Sequence, residues 1–456
     1  MRVLLVRPWI HDFSTYDLWI QPLGLLYLGG VLAQNGFDLD YLDCLEKRFE
    51  YKLDGRAKFA KEIIPTPEPL IGILRHYGRF GVSPDEFHSR LKRFQKPDVI
   101  LVTSGMTYWY PGVQETIQNL REAYPETKIL LGGIYATLMP QHARLHSGAD
   151  EVVTGECEEQ IVDLLRNFRR AAVPGRQART EARPPKSELH EYPWPAWHLT
   201  GEKRYRVLLT SRGCPYRCTF CASDILNEQK FQQRKAENVF AELEKYYFED
   251  HIEHFVFYDD ALLIHHKKHL QPLLEKVIER GIHAKFHTPN GLNAREIDER
   301  LAELMHTSGF KTIRLSLESV NPDIQKVQGN NKVTNQLFAN AVNNLYRAGY
   351  NEGDVECYLI QGLPDQKLQD VRNSLKFVAD LGVIARLATF SPIPGTPEAE
   401  AARKRIGENF MVEPLLQNHS YFPLKNTGMT EQDLHDFKDV CNSNNERIRV
   451  LRGIAS

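Results

Sequence analysis

Short, nearly uninterrupted apolar runs recur along this 456-residue chain, each followed by a stretch of helical texture. Strands apolar on both sides must be covered on both sides, so the alternation specifies parallel sheets with helices packed against them. It runs twice. The first run comprises Arg2–Arg7, a helix over Pro22–Asn35, Phe37–Asp43, Asp98–Ser104, a helix from Pro111, Lys128–Gly132, Glu151–Thr154 and a last helix. These predict a doubly wound α/β domain over residues 1–168, interrupted between Glu46 and Gln95 by a proline-bearing insertion for which no element is assigned. The second run has strands at Arg206–Thr210, Phe255–Tyr258, Ala284–His287, Thr312–Leu317, Val355–Ile360 and Arg386–Phe390, which predict a partial (β/α)6 barrel over residues 204–398. Its chemistry is expected at the carboxyl ends of the strands. Between the two, residues 169–203 collapse into Arg, Pro and Gly and read as an extended linker whose Tyr192, Trp194 and Trp197 pack on a domain surface. Residues 399–456 read as a helical extension with a covering role, Thr430 capping a helix whose first turn holds Glu431 and Asp433.

Length alone favours more than one core. Fifty-seven basic against 59 acidic side chains leave a net charge of -2, with no basic stripe, so no nucleic-acid partner is implied. The apolar run Leu23–Ala33 is too short for a membrane span, and the start lacks the layout of a signal peptide. No membrane association and a cytoplasmic location are expected.

Of the 7 cysteines, Cys44, Cys157, Cys357 and Cys441 are scattered, whereas Cys214, Cys218 and Cys221 share one loop after the first barrel strand. This distribution points to a metal site in a reducing compartment rather than a disulfide framework. Three readings compete. Structural zinc wants four ligands, and no second Cys or His pair follows downstream. Three buried cysteines without metal sit poorly in a loop flanked by Gly213 and Pro215. An iron–sulfur cluster held by three thiolates, with one iron left open, accounts for the spacing.

The segment Cys214-Pro-Tyr-Arg-Cys218-Thr-Phe220-Cys221 resembles the signature of the radical S-adenosylmethionine (SAM) superfamily, with an aromatic residue directly before the last cysteine. The resemblance implies a [4Fe-4S] cluster whose open iron takes the amino and carboxylate groups of SAM. Reductive cleavage of SAM to a 5'-deoxyadenosyl radical would follow. It also implies SAM contacts from Phe220, from Tyr258, Asp259 and Asp260 at the second strand, from Ser316 and Glu318 toward the ribose, from Arg314 toward the carboxylate, and from Gly362 toward adenine. Each has a plain alternative: an acidic helix cap for the Asp pair, mutual neutralisation of Arg314 and Glu318, and turn chemistry for Gly362. Two-residue periodicity puts Arg314, Ser316 and Glu318 on one strand face. His287 or Asn290 is a further candidate near the substrate, with a surface histidine as the alternative for His287.

Leu131-Gly132-Gly133 and Thr154-Gly155-Glu156-Cys157-Glu158, together with Pro193–Trp197, resemble the branch of that superfamily with an N-terminal cobalamin (B12)-binding, Rossmann-like domain. Ser104, Gly132, Gly133, Gly155 and Glu156 would then contact cobalamin, and Trp9, Tyr108, Trp109 and Tyr135, on loops of the first domain, would line its face or pack against the barrel. The chain has no Asp-x-His-x-x-Gly motif, and Cys157 stands where the branch's turn has glycine. The activity implied is cobalamin-dependent radical methylation of an unactivated carbon in a small-molecule or peptide substrate, with a flavodoxin or ferredoxin as reductant. Cobalamin-independent rearrangement, cyclisation or oxidation is the alternative, and a non-catalytic scaffold or cluster-binding sensor a third. An auxiliary cluster at Cys357 is not expected.

Overall fold

The computed structural model describes residues 1–46, 48–171, 188–228, 230–421 and 428–451. The run Arg183–Lys186 of the expected linker lies outside these. The chain divides into two compact units, Met1–Glu202 and Lys203–Ser456.

The first unit is built on five parallel strands, β1 (Arg2–Arg7), β2 (Asp38–Asp43), β3 (Val99–Val102), β4 (Lys128–Leu131) and β5 (Glu151–Val152), in the order β5-β4-β3-β1-β2. Strand β1 shows why both faces must be covered. Leu4 and Val6 enter a cluster with Ile100, Ile129 and Leu131, whereas Val3 and Leu5 pack on the other face with Leu32, Leu130 and Leu165. Helices α1 (Leu23–Gln34), α2 (Tyr110–Ala123) and α3 (Ile161–Ala171) supply the layers. The strand order reverses between β3 and β1, the position where open α/β sheets form a crevice at their carboxyl edge.

The Glu46–Gln95 insertion is not structureless. Lys61–Ile63 and Gly78–Phe80 form an antiparallel sheet with Ile10–Asp12, and Ser83 caps a helix at Pro84–Leu91 by accepting from the Glu86 amide. Strands of three residues are too short to show periodicity. The aromatic residues expected on the loops belong to this core instead. Trp9 is fully buried and donates from Nε1 to the Val82 carbonyl, Trp109 donates to Asp12 at 2.8 Å, and Tyr108 and Tyr135 are buried. Near the unit's end, the Ala196 amide donates to the Leu26 carbonyl, and Trp197 is buried.

The second unit carries six parallel strands in chain order, β6 (Tyr205–Leu208), β7 (His254–Phe257), β8 (Lys285–His287), β9 (Phe310–Glu318), β10 (Val355–Gln361) and β11 (Ile384–Thr389). Helices α4 (Ala236–Phe248), α5 (Leu270–Glu279), α6 (Glu299–Ser308), α7 (Asn335–Arg347) and α8 (Leu368–Asp380) alternate with them. Along β7, β8 and β9 the rings of Phe255, Phe257, Phe286 and Phe310 stack on one another, Phe286 and Phe310 with centroids 5.3 Å apart. Burying each such ring contributes about 1.5–3 kcal/mol. Alternate positions carry polar groups: His287 is buried between His254 and Thr312, hydrogen-bonded to both at 2.9 Å, and so is neither a surface nor a cavity-lining histidine.

Beyond the barrel strands, α9 (Glu431–Leu451) packs on α8 and on β11. Thr430 and Asp433 cap its start reciprocally. The Asn445 side-chain amide accepts from the Ala385 N–H at 2.8 Å and donates to the Ala385 carbonyl at 3.0 Å, taking the place of a strand neighbour on the edge of β11. Asn445→Ala leaves the buried Ala385 N–H without an acceptor and its carbonyl with only the Cys441 thiol, and is expected to lower stability by about 1–3 kcal/mol, read as a lower urea midpoint at unchanged m.

Candidate functional site

The loop after β6 is held from both ends. Ser211–Arg212 pairs antiparallel with Gln232–Gln233, and Gly213 between that arm and Cys214 has φ +77° and lies against the Lys230 carbonyl, where a Cβ would collide. At the carboxyl end of β7, Asp259 Oδ1 accepts from the Thr210 amide at 3.0 Å, the Thr210 hydroxyl at 2.7 Å and the Ser211 hydroxyl at 2.6 Å. Burial lifts the Asp259 carboxyl above its ordinary pKa, and these donors oppose the lift. Further along, the Thr219 amide donates to the Gln328 carbonyl at 3.0 Å, the Cys218 thiol lies 3.7 Å from the Gly329 carbonyl, and the Thr219 hydroxyl donates to Glu398.

So held, Cys214, Cys218 and Cys221 open onto a cavity of about 330 Å³ at the carboxyl ends of the barrel strands. Burial pushes the Cys218 and Cys221 thiols up to about 11, so metal binding there must displace protons. Among the described residues no three His, Cys, Asp or Glu side chains converge as ligands of a single ion. Three sulfur donors around a cavity, rather than around a point, match the donor set of a cluster.

The other candidate positions divide. Phe220, Asp260, Ser316 and Glu318 line the same cavity, as does Asn290. Asp260 accepts from the Ser223 hydroxyl at 2.5 Å, and burial raises its carboxyl above the ordinary range. The register of β9 slips between Ser316 and Glu318, and Glu318 has φ +66°, a left-handed conformation that a non-glycine residue holds only at a cost. Gly291 presses so closely on the Ser316 hydroxyl that a side chain there would displace it.

Four positions differ from expectation. Asp259 does not line the cavity, because its carboxylate is buried against Thr210 and Ser211. Tyr258 is also absent from the lining, though its carbonyl accepts from Asn290. Arg314 pairs with neither Glu318 nor the cavity: its Nε donates to Glu356 at 2.6 Å and its Nη1 to the Tyr358 hydroxyl at 2.9 Å. Gly362 lies in a turn closed by Gln366, whose Oε1 accepts from the Gly362 amide at 2.8 Å and from the Leu363 amide at 3.3 Å. That amide is spent within the protein. Cys357 is fully buried on the strand face opposite Tyr358.

Lys332 is the residue that sequence reading missed. Among the described residues lining the cavity it alone carries a positive charge, 3.7 Å from Glu318. Burial works against its ammonium, but Glu318 and all three cysteines outweigh that and raise its pKa. Asn330 and Asn331 precede it in left-handed conformation, and Arg295 clamps the loop by donating to the Lys332 carbonyl at 2.9 Å and to the Asn331 carbonyl. The Gly329-Asn-Asn-Lys332 run was the available signal, since paired Asn residues tolerate the left-handed region.

At the carboxyl edge of the first unit's sheet, Ser104 donates from Oγ to the Gly132 carbonyl at 2.7 Å and accepts from the Ala136 amide. Gly133 has φ +94° and lies against the Ser104 backbone, while a Cβ at Gly132 would meet only the Val153 carbonyl, at 3.8 Å. The Gly155 amide donates to Thr137 at 3.0 Å. Ile134, 37% exposed, follows Gly133 and adds apolar surface there. Glu156 and Cys157 follow in the turn, where the Cys157 carbonyl accepts from the Ile161 amide to start α3. Backbone bare of side chains beside apolar surface suits a flat, bulky ligand.

Residues 208–378 match the family model of the radical SAM superfamily, and residues 76–165 that of the B12 binding domain. An uncharacterised methyltransferase of Pyrococcus horikoshii is 25% identical over 67% of this chain and 69% of its own length. Cytidylyl-2-hydroxyethylphosphonate methyltransferase of Streptomyces wedmorensis is 24% identical over 90% of this chain and 82% of its own. The anaerobic magnesium-protoporphyrin IX monomethyl ester cyclase of Rubrivivax gelatinosus is 25% identical over 86% and 68%. Among solved structures, the radical SAM methyltransferase TsrM of Kitasatospora setae, with tryptophan and a SAM analogue bound, aligns with a TM-score of 0.65 and 17% identity over 89% of this chain and 76% of its own, a likeness of fold. Among the described residues no helix is long and apolar enough to cross a membrane.

Asp259→Ala leaves three buried donors without their acceptor, each worth about 1–3 kcal/mol. The variant is expected to melt earlier and, after anaerobic reconstitution, to hold less than half the wild-type iron per chain.

Proposed function

We propose that this chain, which carries a radical SAM domain and a B12-binding domain, is a cobalamin-dependent radical methyltransferase acting on an unactivated carbon of a small-molecule or peptide substrate. The observation that carries the reading is one cavity that, among the described residues, gathers three thiols, two carboxylates and one ammonium. When bound, the [4Fe-4S] cluster supplies the electron that cleaves SAM, and cobalamin carries the methyl group.

What the chain's own residues do follows from their chemistry. Cys214, Cys218 and Cys221 would hold the cluster through their thiolates, with no fourth cysteine beside them, which would leave room for SAM. Lys332 takes the SAM carboxylate, the role Arg314 cannot fill while bound to Glu356 and Tyr358. Asp260 faces the amino group, whose positive charge favours its ionised form. Glu318 accepts from ribose hydroxyls and Ser316 donates to them, and Phe220, at the cavity wall, packs against the apolar cluster that includes Leu363 and Ile324. Gly132, Gly133 and Gly155 let cobalamin approach the first unit's sheet edge, with Ser104 fixing the Gly132 carbonyl and Glu156 beside them. In this reading residues 1–168 serve cobalamin, 169–203 link, 204–398 serve SAM chemistry and 399–456 cover the barrel. A flavodoxin or ferredoxin supplies electrons in the reducing cytoplasm.

The Rubrivivax relative, named a cyclase, favours a second reading in which the same cavity serves a ring-forming radical reaction. One preparation separates the two. Protein purified without oxygen from cobalamin-supplied cells and reconstituted is expected to hold about four irons and near one cobalt, and to release 5'-deoxyadenosine from SAM. Iron and deoxyadenosine without cobalt would favour the second reading, and an intact reduced cluster that leaves SAM whole would contradict both.

A further inference from the structure

Beside the SAM cavity, on the last strand of the barrel, a second polar group is only partly used. Ser316, Tyr358 and Arg386 occupy neighbouring positions across β9, β10 and β11, so their side chains share one face of the sheet. Ser316 and Tyr358 line the cavity, and Arg386 stands one strand further on. A chain of contacts joins it to the cavity wall. Arg386 Nη2 donates to Glu356 Oε1 at 2.5 Å, Glu356 Oε2 accepts from Arg314, and Arg314 donates to the Tyr358 hydroxyl.

The charges in this chain do not cancel. Burial works against the Glu356 carboxylate, but Arg386 and Arg314 outweigh it and hold its pKa below the ordinary range, so it is ionised. Two guanidinium groups against one carboxylate leave one positive charge. Arg314 is sealed, its side chain 5% exposed, while that of Arg386 is 40% exposed. Arg386 has one hydrogen-bonded protein partner among the described residues, and its Nε is buried without an acceptor. A guanidinium presents five N–H donors in a fork that fits an oxyanion. Structural ion pairs close such a ledger; this one stays open on the side that faces out of the wall.

We propose that Arg386 is the anchor for an oxyanion of the substrate, a carboxylate or phosphoryl group, which would hold the reacting carbon on the Tyr358 side of the SAM cavity. Glu356 and Arg314 act as positioning residues, the first orienting Arg386 and the second tying that pair to Tyr358. The identity of the ligand as substrate rests on the SAM reading above; the anion site itself rests on Arg386.

The test uses full-length reconstituted protein with phenylphosphonate and benzoate as probes and benzyl alcohol as their neutral counterpart. Arg386 is expected to react with phenylglyoxal, located by peptide mass spectrometry, and both anions are expected to protect it where the alcohol does not. Dialysis should show phenylphosphonate binding weakened about tenfold or more in Arg386→Gln. Arg386→Lys, which keeps the charge and loses the fork, should fall between. S-adenosylhomocysteine binding, measured on the same samples, reports the SAM cavity and the fold. Equal protection by the alcohol, or unchanged anion affinity in Arg386→Gln with S-adenosylhomocysteine binding intact, would overturn the anchor. Failure of the wild type to bind S-adenosylhomocysteine would instead overturn the SAM reading, and with it the assignment of the anion as substrate.

Discussion

Three sulfur donors must be held around one space by a single loop, and the second unit is organised about that demand. The loop has little regular structure of its own, so its geometry is imposed from outside. Asp259 grips its entry with three hydrogen bonds, Gly213 supplies a backbone conformation that other residues resist, and Thr219 is fixed to Gln328 and Glu398 from elements distant in sequence. Burying a carboxylate as Asp259 is buried costs free energy unless its oxygens are satisfied, and the site spends that cost on stiffness where a cluster needs it.

The same demand explains why the barrel is apolar outside and polar within. Its phenylalanines pack outward, where burial stabilises the fold, while His254, His287, Arg314, Glu356 and Tyr358 form hydrogen-bonded networks inside. Each inward charge is paired or faces the cavity. Lys332 is the single cation among the described residues lining the cavity, and its left-handed approach through Asn330 and Asn331, together with the left-handed Glu318 at the register slip of β9, puts strained backbone next to the chemistry.

Much of this was legible in the sequence. Strand positions emerged within two residues because buried parallel strands leave continuous apolar runs, and the cysteine spacing pointed to the loop that opens onto the cavity. What escaped notice depends on partners far away in the chain. Asp259 and Asp260 are chemically alike, and only the hydroxyls of Thr210, Ser211 and Ser223 decide which faces inward. Strand periodicity sets Arg314 beside Glu318, four residues along the same strand, yet its partner is Glu356 on the next strand, a pairing set by sheet register. Lys332 sits in a turn without periodicity, and the insertion's three-residue strands are too short to register a pattern.

The central claim is that the cavity binds SAM against the cluster with Lys332 as its cationic partner. The most direct measurement is the electron paramagnetic resonance spectrum of the reduced cluster, titrated with SAM in wild type and in Lys332→Met at matched iron content. SAM is expected to shift the wild-type g-values, and the variant to need about tenfold or more SAM for the same shift. A wild-type spectrum unchanged by SAM, or equal titrations in the two proteins, would contradict it.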